Sequence, residues 1–246
     1  MNINWLSFGD MVTQYFLELP AEIYSSILIA IAVGVFAIVI GNKMKKADPL
    51  ARPSTAVLLG ETIVGGIEGW TMNMGGPRMK GFAPYFCAVA IYLPVSFISG
   101  MLALPSPVGY YAVPLIFALV TFISTHAVAF KYQKWSYFKR FTSPFAVFLP
   151  INILTFPANA ISLSFRMFGN ALAGTIILSM VYWATGNITE MLFNLVGLGN
   201  FNFIAPFITP FLHAYFDLFG ALIQTLVFLS LSVLFISAEI PSEVDA

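Results

Sequence analysis

Charge is what this sequence has least of. Of its 246 residues, 9% are Asp, Glu, Lys or Arg and 59% are hydrophobic, where a soluble domain carries roughly a quarter charged residues. With a mean hydropathy of +0.87, the composition is that of an integral membrane protein. Cysteine is nearly missing. Cys87 alone cannot form an internal disulfide or a cysteine-built metal site, and it reads as a small hydrophobe within a helix. The 11 basic and 11 acidic residues cancel, which argues against a nucleic-acid partner. HExxH, GxxxxGK[ST], GxSxG and clusters at metal-ligand spacing are all lacking, so neither an enzyme pocket nor a cofactor is expected. The opening MNINWLSFGDMVTQYFLELP has acids but no Lys or Arg. A signal peptide would begin positive, so this stretch reads as a tail or surface-lying helix on the outer side.

What the sequence does have is long apolar runs. About 20 such residues cross a bilayer, and the runs predict spans at about 22–41, 82–104, 110–130, 159–185 and 206–238. The first ends in NKMKKADPLARP, the second follows Arg78 and Lys80, and the third ends in KYQKWSYFKR. Positive flanks face the cytoplasm. Gly41, Arg78 and Lys131 then lie inside, while Glu18, Glu22 and the PSPVG turn lie outside. The N-terminus is expected outside and the C-terminus in the cytoplasm. Residues 54–76, rich in scattered glycines, read as an interfacial helix or pair of turns, with Glu61 and Glu68 exposed or snorkelling. Residues 144–157, cut by Pro144, Pro150 and Pro157, read as a re-entrant or surface element. The expected fold is thus an all-α integral membrane protein, a single membrane domain over 1–246. It has about five spanning helices plus interfacial or re-entrant ones, and the last two spans are long and tilted.

Inside the last two spans the formal charges are Arg166 and Asp217. Arginine cannot shed its proton to enter a low-dielectric layer. Burying it alone costs several kcal/mol, yet no acid lies within a few turns in ISLSFRMFGNALAGTIILSMVYWA. A water-filled path or a partner charge from elsewhere must offset that cost. His213 precedes Asp217 by four residues and Gln224 follows it by seven, so the three line one helix face. Arg166, Asn170 and Thr175 face a similar direction on the fourth span, where Gly169, Ala173 and Gly174 allow close approach of another helix. Glu190 and Asn187 fall in the outer loop. A buried Arg166–Asp217 ion pair is one alternative, disfavoured by their unequal depths. A packed interface histidine at 213 and a helix-bridging glutamine at 224 are others. His126, near the inner end of the third span, reads as interfacial. Taken together, the polar groups suggest a hydrated ion path interrupted by a fixed positive charge.

The run SLSFRMFGNALAG, the lead-in FPANAISL and the closing IQTLVFLSLSVLFIS resemble the a subunit of the membrane (Fo) sector of rotary F-type ATP synthases. Met167 stands where leucine is usual. The resemblance places Arg166 on the family's essential stator arginine, Asn170 on its asparagine, and Gln224 on the last-helix glutamine near the arginine. Asp217 falls on a last-helix position that varies between histidine and an acid. Thr175 departs from the pattern, because many members carry a titratable glutamate or histidine there; Asp217, with His213 and Glu190, would then take the acidic role. The implied function is non-catalytic. The subunit conducts H⁺ or Na⁺ through two offset half-channels to and from carboxylates of a c-subunit ring, with b subunits of the peripheral stalk and the remaining synthase subunits as partners. The implied location is a bacterial plasma membrane. An ion-coupled secondary transporter would want internal repeats, and none is evident; a purely structural scaffold is the third reading.

Overall fold

The structure, a computed structural model, describes residues 19–47, 52–102, 104–142, 145, 147, 149–193 and 202–241. Every regular element among them is helical. The main ones are α1 (Ala21–Lys46), α2 (Thr55–Gly75), α3 (Ala83–Ile98), α4 (Ala112–Gln133), α5 (Leu149–Thr155), α6 (Ala158–Phe193), α7 (Ala205–His213) and α8 (Gly220–Ser237). Short 3₁₀ turns extend α3 and α4, and a π-helical turn, Ala214–Phe219, joins α7 to α8. Five helical segments are long and apolar enough to cross a membrane: Ala21–Lys46, Pro77–Leu102, Ala112–Phe138, Leu149–Leu192 and Ala205–Ser237. The chain is an all-α multi-pass membrane protein, as the apolar runs predict, and its last helices are long.

Of the two readings of residues 54–76, helix or pair of turns, the structure has the helix, Thr55–Gly75. Gly60 serves packing: a methyl group there would come within 2.5 Å of Ile40 and 2.7 Å of Met44 on α1. Gly76, with φ +86°, then stops the helix in a conformation open mainly to glycine. Glu68 is not simply a solvated acid, since it pairs with Lys80 at 3.0 Å. Finally, α6 continues to Phe193, so Asn187 and Glu190 lie on a helix and not in a loop. Thr185 and Thr189 sit inside this stretch, each hydroxyl donating to the carbonyl four residues back at 2.7 Å. In the proline-cut segment, Pro150 sits in the first turn of α5, where a missing N–H is tolerated; Pro144 lies outside the described residues.

α8 is the centre of the bundle. Phe228, Val233 and Ile236 are fully buried, together with Phe86 and Leu93 of α3 and Ala118 of α4. α1 is peripheral: it buries only Ser25 and Ile29 and is tied to α3 by Ser26 Oγ···Tyr92 Oη at 2.7 Å. Of the 11 lysines and arginines, all but Arg166 sit at or beyond helix ends. Contacts of Arg78 with the Pro241 carbonyl (3.1 Å) and of Arg140 with Glu239 (2.7 Å) gather the ends of α2, α4 and α8 at one side of the bundle. We call this the basic end.

Candidate functional site

The last two spans form an antiparallel pair whose register is set by small residues. A methyl group at Gly174 would meet Phe216 Cβ at 3.3 Å, and one at Gly220 would meet Asn170 Nδ2 at 3.1 Å. Four steps forward along α6 match four steps back along the last helix, so the same register sets Arg166 level with Gln224. Asp217 is seven residues before Gln224, which puts it about 10 Å along the axis from that level. No Arg166–Asp217 ion pair forms.

Arg166 is exposed and has no hydrogen-bond or ion-pair partner among the described residues. Gly169 and Ala173, a turn and two turns further on, are also exposed, and nothing lies within 4 Å of a methyl group placed on Gly169. Of the three small residues expected to admit another helix, only Gly174 is used inside this chain. The other two leave an open strip beside the guanidinium.

Asp217 lies within the π turn, a distortion common at functional sites. His213 Nδ1 and Asp217 Oδ2 are 2.5 Å apart, and His213 Nε2 meets Tyr182 Oη at 3.2 Å. His213, Asp217, Asn170, Thr175, Ser179 and Tyr182 line a cavity of about 330 Å³, closed on its other side by Phe97, Gly100 and the Leu104–Ser106 turn. This corrects two expectations. Thr175 does not share the Arg166 face; nine residues on, it has turned about half a revolution and joins Asp217 instead. Gln224 does not continue the His213–Asp217 stripe, because the wider π turn shifts the phase of α8. Gln224 is 6% exposed, lines no part of this cavity and has no hydrogen-bond partner among the described residues. Glu190 is exposed, two turns beyond Tyr182 and outside the cavity.

Two groups were not singled out by sequence reasoning. Tyr182 holds the histidine. Asn202 closes the hairpin: its amide donates to Tyr182 O (3.2 Å) and Thr185 Oγ1 (3.0 Å), while its Oδ1 accepts the Ala205 N–H (3.1 Å). An asparagine just before an Ala-Pro helix start was the available signal.

A second polar cavity, about 270 Å³, opens at the basic end. Thr125, His126, Arg140, Asn152, Asn159 and Glu239 line it, and it reaches Ala160 and Leu163 on α6. His126 is more than interfacial: its Nδ1 meets Tyr137 Oη at 2.9 Å and its ring stacks on Phe156 at 4.2 Å. Glu239, just past the end of α8, is buried.

A partnerless arginine between two polar cavities is thus the centre of the site. Comparison with known proteins agrees in kind. The family model described as ATP synthase A chain matches residues 23–237. The chain belongs to that family. A protein described as ATP synthase subunit a from Mycoplasma genitalium is 31% identical over 205 residues, covering 77% of this chain and 69% of its own length. Its counterpart in Mycoplasma pneumoniae is 32% identical over the same shares. The one in Mycoplasmoides gallisepticum is 26% identical over 245 residues, covering 92% and 80%. Within the ATP synthase A chain family, the Arg166 run and the helix that carries Gln224 both fall inside the matched region.

Proposed function

We propose that this chain is the ion-conducting stator subunit of a rotary ATP synthase. It carries H⁺ or Na⁺ through two offset half-channels to and from membrane-buried carboxylates on a turning c ring. The observation that carries the reading is Arg166: exposed, without a partner among the described residues, and flanked by the open Gly169–Ala173 strip. Such a charge in a spanning helix needs an external counter-group. A neighbouring ring carboxylate supplies it.

Ions enter from the outer side through the cavity of His213, Asp217, Asn170 and Thr175. Tyr182 and Asp217 hold the His213 ring from both nitrogens, so the pair presents one carboxylate and one imidazole to water in the cavity. Glu190, at the end of α6, draws cations toward its mouth. An ion reaching a ring carboxylate neutralises it, and the neutral site can enter lipid. On return, the carboxylate meets Arg166, whose charge favours the ionised form and releases the ion to the inner side. The same charge repels cations leaking directly between the cavities. Each charge crossing ~100 mV supplies about 2.3 kcal/mol, so a small leak would undercut coupling. Gln224 stands level with Arg166 on the facing helix, and Asn170 lies one turn along α6.

The partners under this reading are the c ring, the b subunits of the peripheral stalk, the other synthase subunits and membrane lipid. The membrane is a bacterial plasma membrane, with the N-terminus outside and the basic end in the cytoplasm, as positive flanks require. Cysteines replacing Ser162 or Phe165, both exposed near Arg166, in a Cys87→Ser background should crosslink to a ring helix in the assembled complex. Failure of both positions to crosslink in a coupled complex would place the ring elsewhere.

A further inference from the structure

The cavity at the basic end contains an ion pair that the reading above does not use. Glu239 follows the end of α8 and is 8% exposed, whereas its partner Arg140 is 45% exposed. Arg140 Nη2 donates to both carboxylate oxygens, at 2.7 and 2.9 Å, and Gln133 Nε2 donates to Oε2 at 2.8 Å. A cation at the surface holds an anion in the wall. From that wall the cavity runs past Thr125 and Asn159 to Leu163, about 4.5 Å along the helix axis from Arg166. Asn159 is exposed and seven residues before Arg166, so it lies on nearly the same face of α6.

We propose that this cavity is the inner ion-access path and that the Arg140–Glu239 pair sets its charge. Glu239 supplies the attraction for cations, and Arg140 limits it. The inference rests on the proposed stator function and locates its inner half-channel. The asymmetry of exposure matters. The guanidinium sits partly in water, whereas the carboxylate stays in the wall, held also by Gln133. A fixed anion in a narrow, low-dielectric cavity raises the local cation concentration. The other titratable or charged groups around Glu239 are His126 and Tyr137 from the α4 side, with Arg78 on the nearby Pro241 carbonyl. Among the described residues, no carboxylate other than Glu239 lines the cavity.

The two halves of the pair then predict effects of opposite sign. Glu239→Gln leaves Arg140 uncompensated and should repel cations. Arg140→Gln keeps a hydrogen-bond donor beside a now unneutralised carboxylate and should attract them. The intact complex is reconstituted in vesicles, and ATP-driven pumping is measured while pH and Na⁺ are varied separately on the ATP-hydrolysing side. Glu239→Gln should require several-fold more of the transported ion for half-maximal rate. Arg140→Gln should require the same or less, and Glu239→Asp should restore near-normal dependence. If both neutral variants shift in the same direction, or only complex yield falls while the ion dependence is unmoved, the pair is a structural clasp and the proposal is wrong. Asp217→Asn and Arg166→Ala serve as controls. If they too leave transport normal, the stator reading fails; if they impair it and the inner pair behaves as a clasp, only the present inference fails.

Discussion

Arg140 and Arg166 are the same side chain in opposite circumstances. Arg140 lies at a helix end, reaches water, and meets a buried carboxylate and its glutamine neighbour within hydrogen-bond distance of one another. Arg166 lies in the middle of a long spanning helix and meets nothing charged among the described residues. The first is satisfied by folding. The second is satisfied only by assembly, so folding alone gives no reason to retain it. Removing Arg166 should therefore cost function without unfolding, whereas removing Arg140 should cost stability and also change the dependence on inner-side ion.

The sharpest way to break this contrast is to remove Arg166. Arg166→Ala in reconstituted vesicles should reduce ion-driven ATP synthesis and ATP-driven pumping to background, with little loss of assembled complex, because no intrachain partner is stranded. Arg166→Lys should also be severely impaired, since a compact ammonium does not reproduce the planar fork. Near-normal coupling in either variant would show that Arg166 has no such duty. Arg140→Ala should lower the yield of folded complex by leaving Glu239 without its cation, while the complex that does assemble should need no more inner-side ion than the parent.

Gly169 offers a test almost as severe. Its surroundings within the chain are empty, so Gly169→Leu should leave the purified subunit's helix content and melting unchanged while cutting coupled transport close to background by obstructing the ring. Gly220→Leu should instead cost about 1–3 kcal/mol of stability by overpacking, because Asn170 occupies the space beside it. If the two leucine variants were alike in melting temperature, the division between an open and a filled face would be mistaken.

A smaller effect is expected in the His213–Asp217 cavity. Asp217→Asn should slow transport several-fold and alter its dependence on outer-side pH, with a lesser effect from His213→Ala. Cysteine at either position should react with a small aqueous thiol reagent in the Cys87→Ser background; complete protection of both in working complexes would make the cavity a packing defect. Smallest of all, Glu190→Gln should lower the outer-side entry rate by about twofold or less, since an exposed charge acts only by steering. That loss should vanish at high salt.

Much of this was legible in the chain. Apolar runs and basic flanks mark the five spans, because a bilayer demands about 20 uninterrupted apolar residues and tolerates lysine and arginine mainly at its edges. The isolation of Arg166 within SLSFRMFGN marks the site, because an arginine there has no cheap explanation. Other features depend on contacts that spacing does not encode. Whether Thr175 looks toward Arg166 or Asp217 depends on helix phase across nine residues. Whether Gln224 shares a face with Asp217 depends on a π turn that no periodicity in AYFDLF announces. Asn187 and Glu190 have loop-like composition, yet the helix carries through both of them.

Composition by itself determined the membrane environment, the helical class and the presence of one unexplained cation, since each follows from the cost of exposing polar groups to lipid. Tertiary structure alone decided which polar groups share a cavity. Arg140 and Glu239 are 99 residues apart in sequence, and Tyr182 and His213 are 31 apart. Hydrogen bonds act over about 3 Å, and only the folded chain brings such residues within that range.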